Sequence, residues 1–312
     1  MTSYFSNRDL PKLYLDWFEK HQFKKIDKLA EADWVLLKTR GLRTTLLNEQ
    51  YPKTKVIVGF PHSFQLAAKN LFWLNLKKKY RELACEISPI TYLPDEPHLK
   101  EKLSYLIGAG KRIILKTNYQ KRKGLKLVES VEELAKTDIR DYVVAQEVID
   151  DILRHKGHAF NLRIYFGIRG STKGVSFFVY PVAKMVYSEK TELITSNTKH
   201  PNGFPLLTSE QKATDIIGTD GFEKCLELIS KTASAHEHHF LKDLRQGVGY
   251  YDLFGLDVIF TTDRNPLILE FNRSPGLKWI NQADKELKTR MLAGFLDGAL
   301  SKAAAFKGWT RI

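Results

Sequence analysis

Two apolar, β-rich runs near the C-terminus, Leu253-Phe-Gly-Leu-Asp-Val-Ile259 and Leu267-Ile-Leu-Glu-Phe-Asn272, constrain the fold most, because each places an acid inside an otherwise apolar strand pattern. The turn-rich segment Thr261-Thr-Asp-Arg-Asn-Pro266 lies between them, so the pair reads as a β-hairpin. Closed symmetrically about Asp263 and Arg264, the hairpin sets Asp257 directly opposite Glu270. Glu270 and Asn272 are two residues apart and share a face. Carboxylates opposed across a hairpin repel each other unless something neutralises them. A hard divalent cation with oxygen ligands does so, magnesium carrying nucleotide phosphates being the usual case. An edge hairpin whose acids face water accounts for the same residues equally well.

The remaining pattern mixes strands and helices, which is α/β or α+β. Asp33–Leu37 and Lys55–Gly59 read as buried strands, and Leu66–Tyr80 as a helix exposing a basic face of Lys69, Lys77, Lys78 and Lys79. A helix is predicted over His98–Ile107, followed by strands Arg112–Lys116 and Leu125–Val128. Next come a short helix Val131–Ala135 with Ser130 as its N-cap and a strand Asp141–Ile149 of parallel or core type. Strands Leu162–Ile168 and Val175–Pro181 and helices Phe222–Ala235 and Asp284–Ala305 complete the reading. Three sections are expected: a small N-terminal domain (1–90), a central part (91–155) and a C-terminal part (156–312) that carries the hairpin.

Composition narrows the function. No apolar run approaches the roughly 18–20 residues that span a bilayer, and Met1–Leu10 lacks the layout of a signal peptide. Cys85 and Cys225 alone exclude a disulfide framework and a four-cysteine zinc site, which points to a reducing compartment, cytosol or nucleus. His236, His238 and His239 have no further ligands at metal spacing and read as a solvated cluster at a helix end. Lys and Arg total 49 against 36 Asp and Glu, a net charge of +13. That excess suits an acidic partner, and equally a solvated basic surface. A nucleic-acid partner has the weakest case, since no recognition motif or interleaved aromatic–basic stretch is present.

The string LFGLDVI…LILEFNRSPGL resembles the metal-binding end of the ATP-grasp fold, in the version used by the tubulin–tyrosine ligase-like family. DWVLLKTR at Asp33–Arg40, FPHSFQLAAKNLFWLNLKK at Phe60–Lys78 and ISPITYLP at Ile87–Pro94 are similar to that family too. So are IILK ending at Lys116, VAQEVI at Val144–Ile149 and GHAFNLRIYFGI at Gly157–Ile168, all in the family's order. The resemblance implies ligation, dependent on ATP and Mg2+, of a free amino acid to a carboxylate of an acidic protein such as a tubulin tail. The route implied is an acylphosphate, with cytoplasmic localisation. It also implies that Asp257, Glu270 and Asn272 hold the metal, and that Lys116 and Arg163 serve the phosphates. Gln146, Glu147, Val148 and Ile149 would surround the adenine, Lys123 and Gly124 lie in the phosphate-covering loop, and Asn197 lies near the phosphates. Lys184, Arg273 and Lys288 would meet the amino acid.

Two departures stand out from the family pattern. Ala159 and Asn161 occupy positions where the family carries a lysine and an aspartate, and Asn161 keeps an acceptor at the nucleotide without the charge. The covering loop holds only Gly124, with Lys121, Arg122 and Lys123 as the side chains able to substitute. The alternative that follows is a catalytically weak, nucleotide-binding pseudoenzyme docked on an acidic partner.

Overall fold

The computed structural model describes residues 2–7, 9–37, 52–118, 124–187 and 213–312. The N-terminal section supplies β1 (Ser3–Ser6), β2 (Lys24–Lys25), β3 (Trp34–Leu36) and β4 (Val56–Val58), which pair in parallel. The central section forms its own antiparallel sheet, in the order β5 (Thr91–Tyr92), β8 (Val144–Glu147), β6 (Ile113–Lys116) and β7 (Leu125–Val128). The central section ends in β9 (Arg154–His155), and the C-terminal section adds β10 (His158–Ser171), β11 (Gly174–Val179), β12 (Lys184–Tyr187), β13 (Gly249–Phe260), β14 (Pro266–Asn272) and β15 (Thr310–Arg311). The class is mixed α/β, as expected.

The N-terminal strands and the C-terminal strands form one sheet. Its path runs β15-β11-β10-β13-β4-β3-β1-β2, with β12 and β9 against β10 and β14 against β13. The join is the parallel pairing of Val56, Ile57 and Val58 with Gly249, Tyr250 and Tyr251. Strand β13 is buried almost throughout, because both faces are covered. Phe254, Leu256, Val258 and Phe260 join the core cluster of the Ala213–Phe240 helix, while Tyr251 and Leu253 join that of the Gln282–Ser301 helix. Alternation along a strand produces this split. It also sends Gly255 and Asp257 toward the side the Gln282–Ser301 helix covers, at the end where the cleft opens.

The small sheet has a separate core, in which Leu99, Leu103 and Ile107 of the Leu99–Gly108 helix pack on Ile113, Leu115 and Val128. Ser130 caps the Val131–Ala135 helix, its hydroxyl accepting from Glu133 N at 3.1 Å. Between the two sheets lies a cleft of about 2240 Å³.

Two local expectations change. The helix expected over Leu66–Tyr80 breaks at Ala68, whose backbone is extended (φ −79°, ψ 122°), into Phe64–Ala67 and Lys69–Tyr80. The break starts the second helix at Lys69 and turns that residue from the solvated face into the cleft. His236 is also not solvated: it is fully buried, stacks on Phe72, and its Nδ1 lies 2.8 Å from Thr232 O. Burial pushes it down to about 4, against the pull of that carbonyl.

Candidate functional site

The hairpin puts its acids where the spacing predicts, by a less direct route. The turn pairs Phe260 with Pro266, Ile259 with Leu267 and Val258 with Ile268. The register then shifts between Val258 and Asp257, and Leu269 is the extra residue of a β-bulge. Beyond the bulge Asp257 faces Glu270 and Gly255 faces Asn272. Without that extra residue Asp257 would sit opposite Leu269, and the acids would lie on different faces.

The pairing continues across the sheet. Asp257 on β13 lies opposite Arg163 on β10, and Arg163 lies opposite Lys184 on β12. Glu270, Asp257, Arg163 and Lys184 therefore form one cross-strand row of two acids and two bases. Arg163 holds Asp257 through two parallel hydrogen bonds, Nε to Oδ1 at 2.7 Å and Nη2 to Oδ2 at 2.8 Å. Asn161 Nδ2 donates to Oδ1 at 2.7 Å and Asn272 Nδ2 to Oδ2 at 3.0 Å, so four N–H groups surround this buried carboxylate. Burial lowers the guanidinium, but Asp257 outweighs it and raises Arg163 above its ordinary range. Gly255 permits the approach: a Cβ there would lie 3.0 Å from Arg163 Cδ and 3.2 Å from Pro275 Cα.

Glu270 has different partners. Lys69 Nζ lies 3.3 Å from Oε2, and Asn272 Nδ2 donates to Oε1 at 3.0 Å. Burial raises this carboxyl, while Lys69, Asn272 and Lys116 together overcome burial and hold it below the usual range. Lys116, at the end of β6 in the small sheet, donates to Gln146 Oε1. Burial brings it down to about 8, Glu270 opposing and Lys69 assisting. Lys69 is the residue sequence reasoning misplaced, and no local signal marks it, because Ala67-Ala68 favours an unbroken helix.

On the small-sheet side, Gln146 is buried and its Nε2 donates to Thr91 Oγ1 at 2.7 Å, while Glu147 Oε1 accepts from Tyr92 OH at 2.7 Å. The backbone N–H groups of Glu147 and Val148 donate to Ile90 O and Arg112 O. Val148 and Ile149 line the cleft together with Ile114, Leu127 and Leu269, an apolar slot of a kind that suits a planar ring. Gly124 stands at the foot of the β6–β7 connection with φ +78°, where a Cβ would collide with the Thr117 side chain. Lys121, Arg122, Lys123 and Asn197 lie outside the described residues. Ala159 is fully buried against Ile152 and Ile259. Its cross-strand partner is Arg154, which lines the cleft, as neither Lys156 nor His158 does.

A third cluster lies beyond Arg163. Lys184 and Lys288 both reach Asp284 Oδ2, at 3.4 Å and 2.8 Å, and Lys288 also donates to Lys278 O. Neither is a surface lysine: the Lys184 side chain is 14% exposed and that of Lys288 2%. Asp284 sits in the first turn of the Gln282–Ser301 helix, held by Asn281, whose Oδ1 accepts from Asp284 N at 2.9 Å. Burial brings Lys184 down to about 8 and Lys288 adds to the fall, while Asp284 opposes it. Arg273 also lines the cleft, within electrostatic reach of buried Asp252.

Residues 186–305, which include the hairpin and the Asp284 helix, match the Tubulin-tyrosine ligase family. That stretch of the chain is similar to the Tubulin-tyrosine ligase family. Ttll1 of Tetrahymena thermophila, described as a probable alpha-tubulin polyglutamylase, is 21% identical over 290 residues, covering 76% of this chain and 70% of that protein. Tubulin polyglutamylase ttll-4 of Caenorhabditis elegans is 24% identical over 293 residues, covering 83% of this chain and 48% of its own length. The Caenorhabditis briggsae ttll-4 is 22% identical over 300 residues, with the same coverages. The chain thus spans about half the length of the two nematode proteins. Among its described residues no helix is long and apolar enough to cross a membrane.

Proposed function

We propose that this chain is an ATP- and Mg2+-dependent ligase that joins an acidic amino acid to a carboxylate of an acidic protein in the cytoplasm, tubulin being the acceptor its relatives' names favour. The observation that carries this is the cross-strand row Glu270–Asp257–Arg163–Lys184 on the cleft floor, with Lys69 and Lys116 at its acidic end and Asp284 with Lys288 at its basic end. The acidic end suits a cation bridged to phosphates and the basic end suits a carboxylate.

The residues fit magnesium and nucleotide. Among the described residues no group of three His, Cys, Asp or Glu side chains could hold a metal alone. Two carboxylates and an amide at Asp257, Glu270 and Asn272 are hard oxygen donors that leave coordination sites for phosphate oxygens. Magnesium bound there would neutralise charge on the phosphates. Lys69 and Lys116 add point charges, and Arg163 offers a planar fork able to exchange Asp257 for a phosphoryl group. The apolar slot holds the base. An unactivated carboxylate is a poor acyl donor, so the acceptor is phosphorylated by ATP to an acylphosphate. The amine of the donor amino acid then displaces phosphate and forms the amide. Lys184 and Lys288 carry two positive charges against the single negative charge of Asp284, a balance of +1 that matches an amino acid bearing two carboxylates and one ammonium.

Incubation with Mg-ATP, an acidic acceptor peptide and single amino acids tests this by ADP release and by the mass added to the peptide. Nucleotide binding with no transfer for any amino acid would instead favour the pseudoenzyme reading, to which buried Ala159 lends support.

A further inference from the structure

Tyr165 lies two residues beyond Arg163 on the same face of β10 and lines the cleft, yet the residue is fully buried. Among the described residues its hydroxyl has no hydrogen-bond partner. A buried hydroxyl without a partner is costly, and a site that keeps one has reason to supply the missing acceptor from elsewhere. Its surroundings say which acceptor. Asp284 is within electrostatic reach of the phenol, and so is Arg163. Asp284 holds Lys184 and Lys288 through Oδ2 alone; its Oδ1 is likewise buried without a partner. Two ammonium groups on Asp284, and a phenol O–H within electrostatic reach of the same carboxylate, therefore share one end of the charged row. All are donors, and the one fixed carboxylate among them is only half used.

We propose that Tyr165 is a specificity-determining residue of this subsite: its hydroxyl donates to a carboxylate oxygen of the incoming amino acid, drawn in by Lys184 and Lys288. The inference rests on the ligase reading for the identity of the ligand. Asp284 acts as a positioning residue, holding the two lysines together against their mutual repulsion. Lys184 is the gate, since its side chain alone of the three retains appreciable exposure. A carboxylate that takes Lys184 from Asp284 arrives beside the phenol and gives the hydroxyl an acceptor.

The test uses the full chain with a non-hydrolysable magnesium nucleotide and L-glutamate as probe, titrated calorimetrically, beside turnover with ATP. Tyr165→Phe keeps the ring and removes only an unpartnered hydroxyl, so its unfolding midpoint stays level or rises. Its L-glutamate affinity falls about 10–100-fold, the usual loss for a hydrogen bond to a charged group, and its nucleotide affinity does not change. Asp284→Asn weakens L-glutamate binding as well, and Asp284→Glu restores part of it. L-glutamate binding equal to wild type in Tyr165→Phe, or an equal loss for nucleotide, overturns the assignment. So does a wild-type protein that binds no L-glutamate. Wild-type binding that Tyr165→Phe weakens, without any transfer to an acceptor, supports the assignment and defeats the ligase reading alone.

Discussion

Arg163 and Asp257 face each other across β10 and β13 and are joined by two hydrogen bonds of 2.7 and 2.8 Å, so the arginine best placed for a phosphoryl group is held by a carboxylate of the candidate metal site. The two functions are thereby linked. A cation held by Asp257 would compete for the carboxylate oxygens that Arg163 now occupies and would leave the fork free for phosphate. Asp257→Ala leaves Arg163 largely buried and unpaired, and breaking such pairs costs about 3–5 kcal/mol. Denaturant unfolding should show a loss of that size; a loss near zero would mean the clasp is not formed in solution.

Glu270→Gln separates chemistry from folding. The amide keeps the shape and the Asn272 contact but brings no charge to a cation. Magnesium-dependent turnover should vanish while a single cooperative unfolding transition remains. Near wild-type activity would remove Glu270 from the site.

The two parts of the basic helix should behave differently. Lys69 meets Glu270 in the cleft, whereas Lys77, Lys78 and Lys79 occupy the last helical turn. Lys69→Met should weaken nucleotide binding about 10–100-fold. Replacing Lys77, Lys78 and Lys79 together by Glu should leave nucleotide affinity alone and raise the KM for an acidic acceptor, most strongly at low salt. An acceptor KM that ignores salt would place docking elsewhere.

Ala159 marks the departure from the family pattern, and its burial reverses a simple expectation. On the pattern alone, restoring a lysine there should tighten ATP binding; in this fold it forces a charge between Ile152 and Ile259, a desolvation cost the fold must meet. Ala159→Lys should lower the unfolding midpoint without improving nucleotide affinity. Arg154→Ala, across the strand pair, should weaken nucleotide binding, while Lys156→Ala and His158→Ala should not. Calorimetric titration of the four variants decides it.

Lys184 gives a pH signature with opposite signs for stability and function. Burial and Lys288 bring it to about 8 from an ordinary 10.5, with Asp284 opposing and Arg163 assisting. Between those values the unfolded chain binds more protons at this residue, so its contribution to stability rises with pH from about 8 to 10.5. Over the same range the folded protein loses the cation that draws in the amino acid. The kcat/KM for the amino acid, which reports the free enzyme, should therefore fall above about pH 8. A flat profile from about 7 to 9 would exclude Lys184 from the subsite.

The hairpin, its facing acids, the strand ending at Lys116 and the run through Asn161 and Arg163 were legible in the sequence, because strand alternation and turn chemistry are local and leave their period in the chain. The same local rules missed the bulge at Leu269, since a hairpin with a longer turn and no bulge yields the same opposition of Asp257 and Glu270. Tertiary structure alone decided the partners. Lys69 leaves the solvated face because one extended residue, Ala68, breaks its helix and the fold brings that helix start to β14. Ala159 is closed off by Ile152 and Ile259 from other segments, and Asp284 becomes the tie between Lys184 and Lys288 only when β12 meets the start of the last helix. Tyr165 could not be distinguished from a core tyrosine by sequence, because its significance lies in the missing partner. Periodicity reports which face a side chain takes; what waits on that face is set by segments far away along the chain.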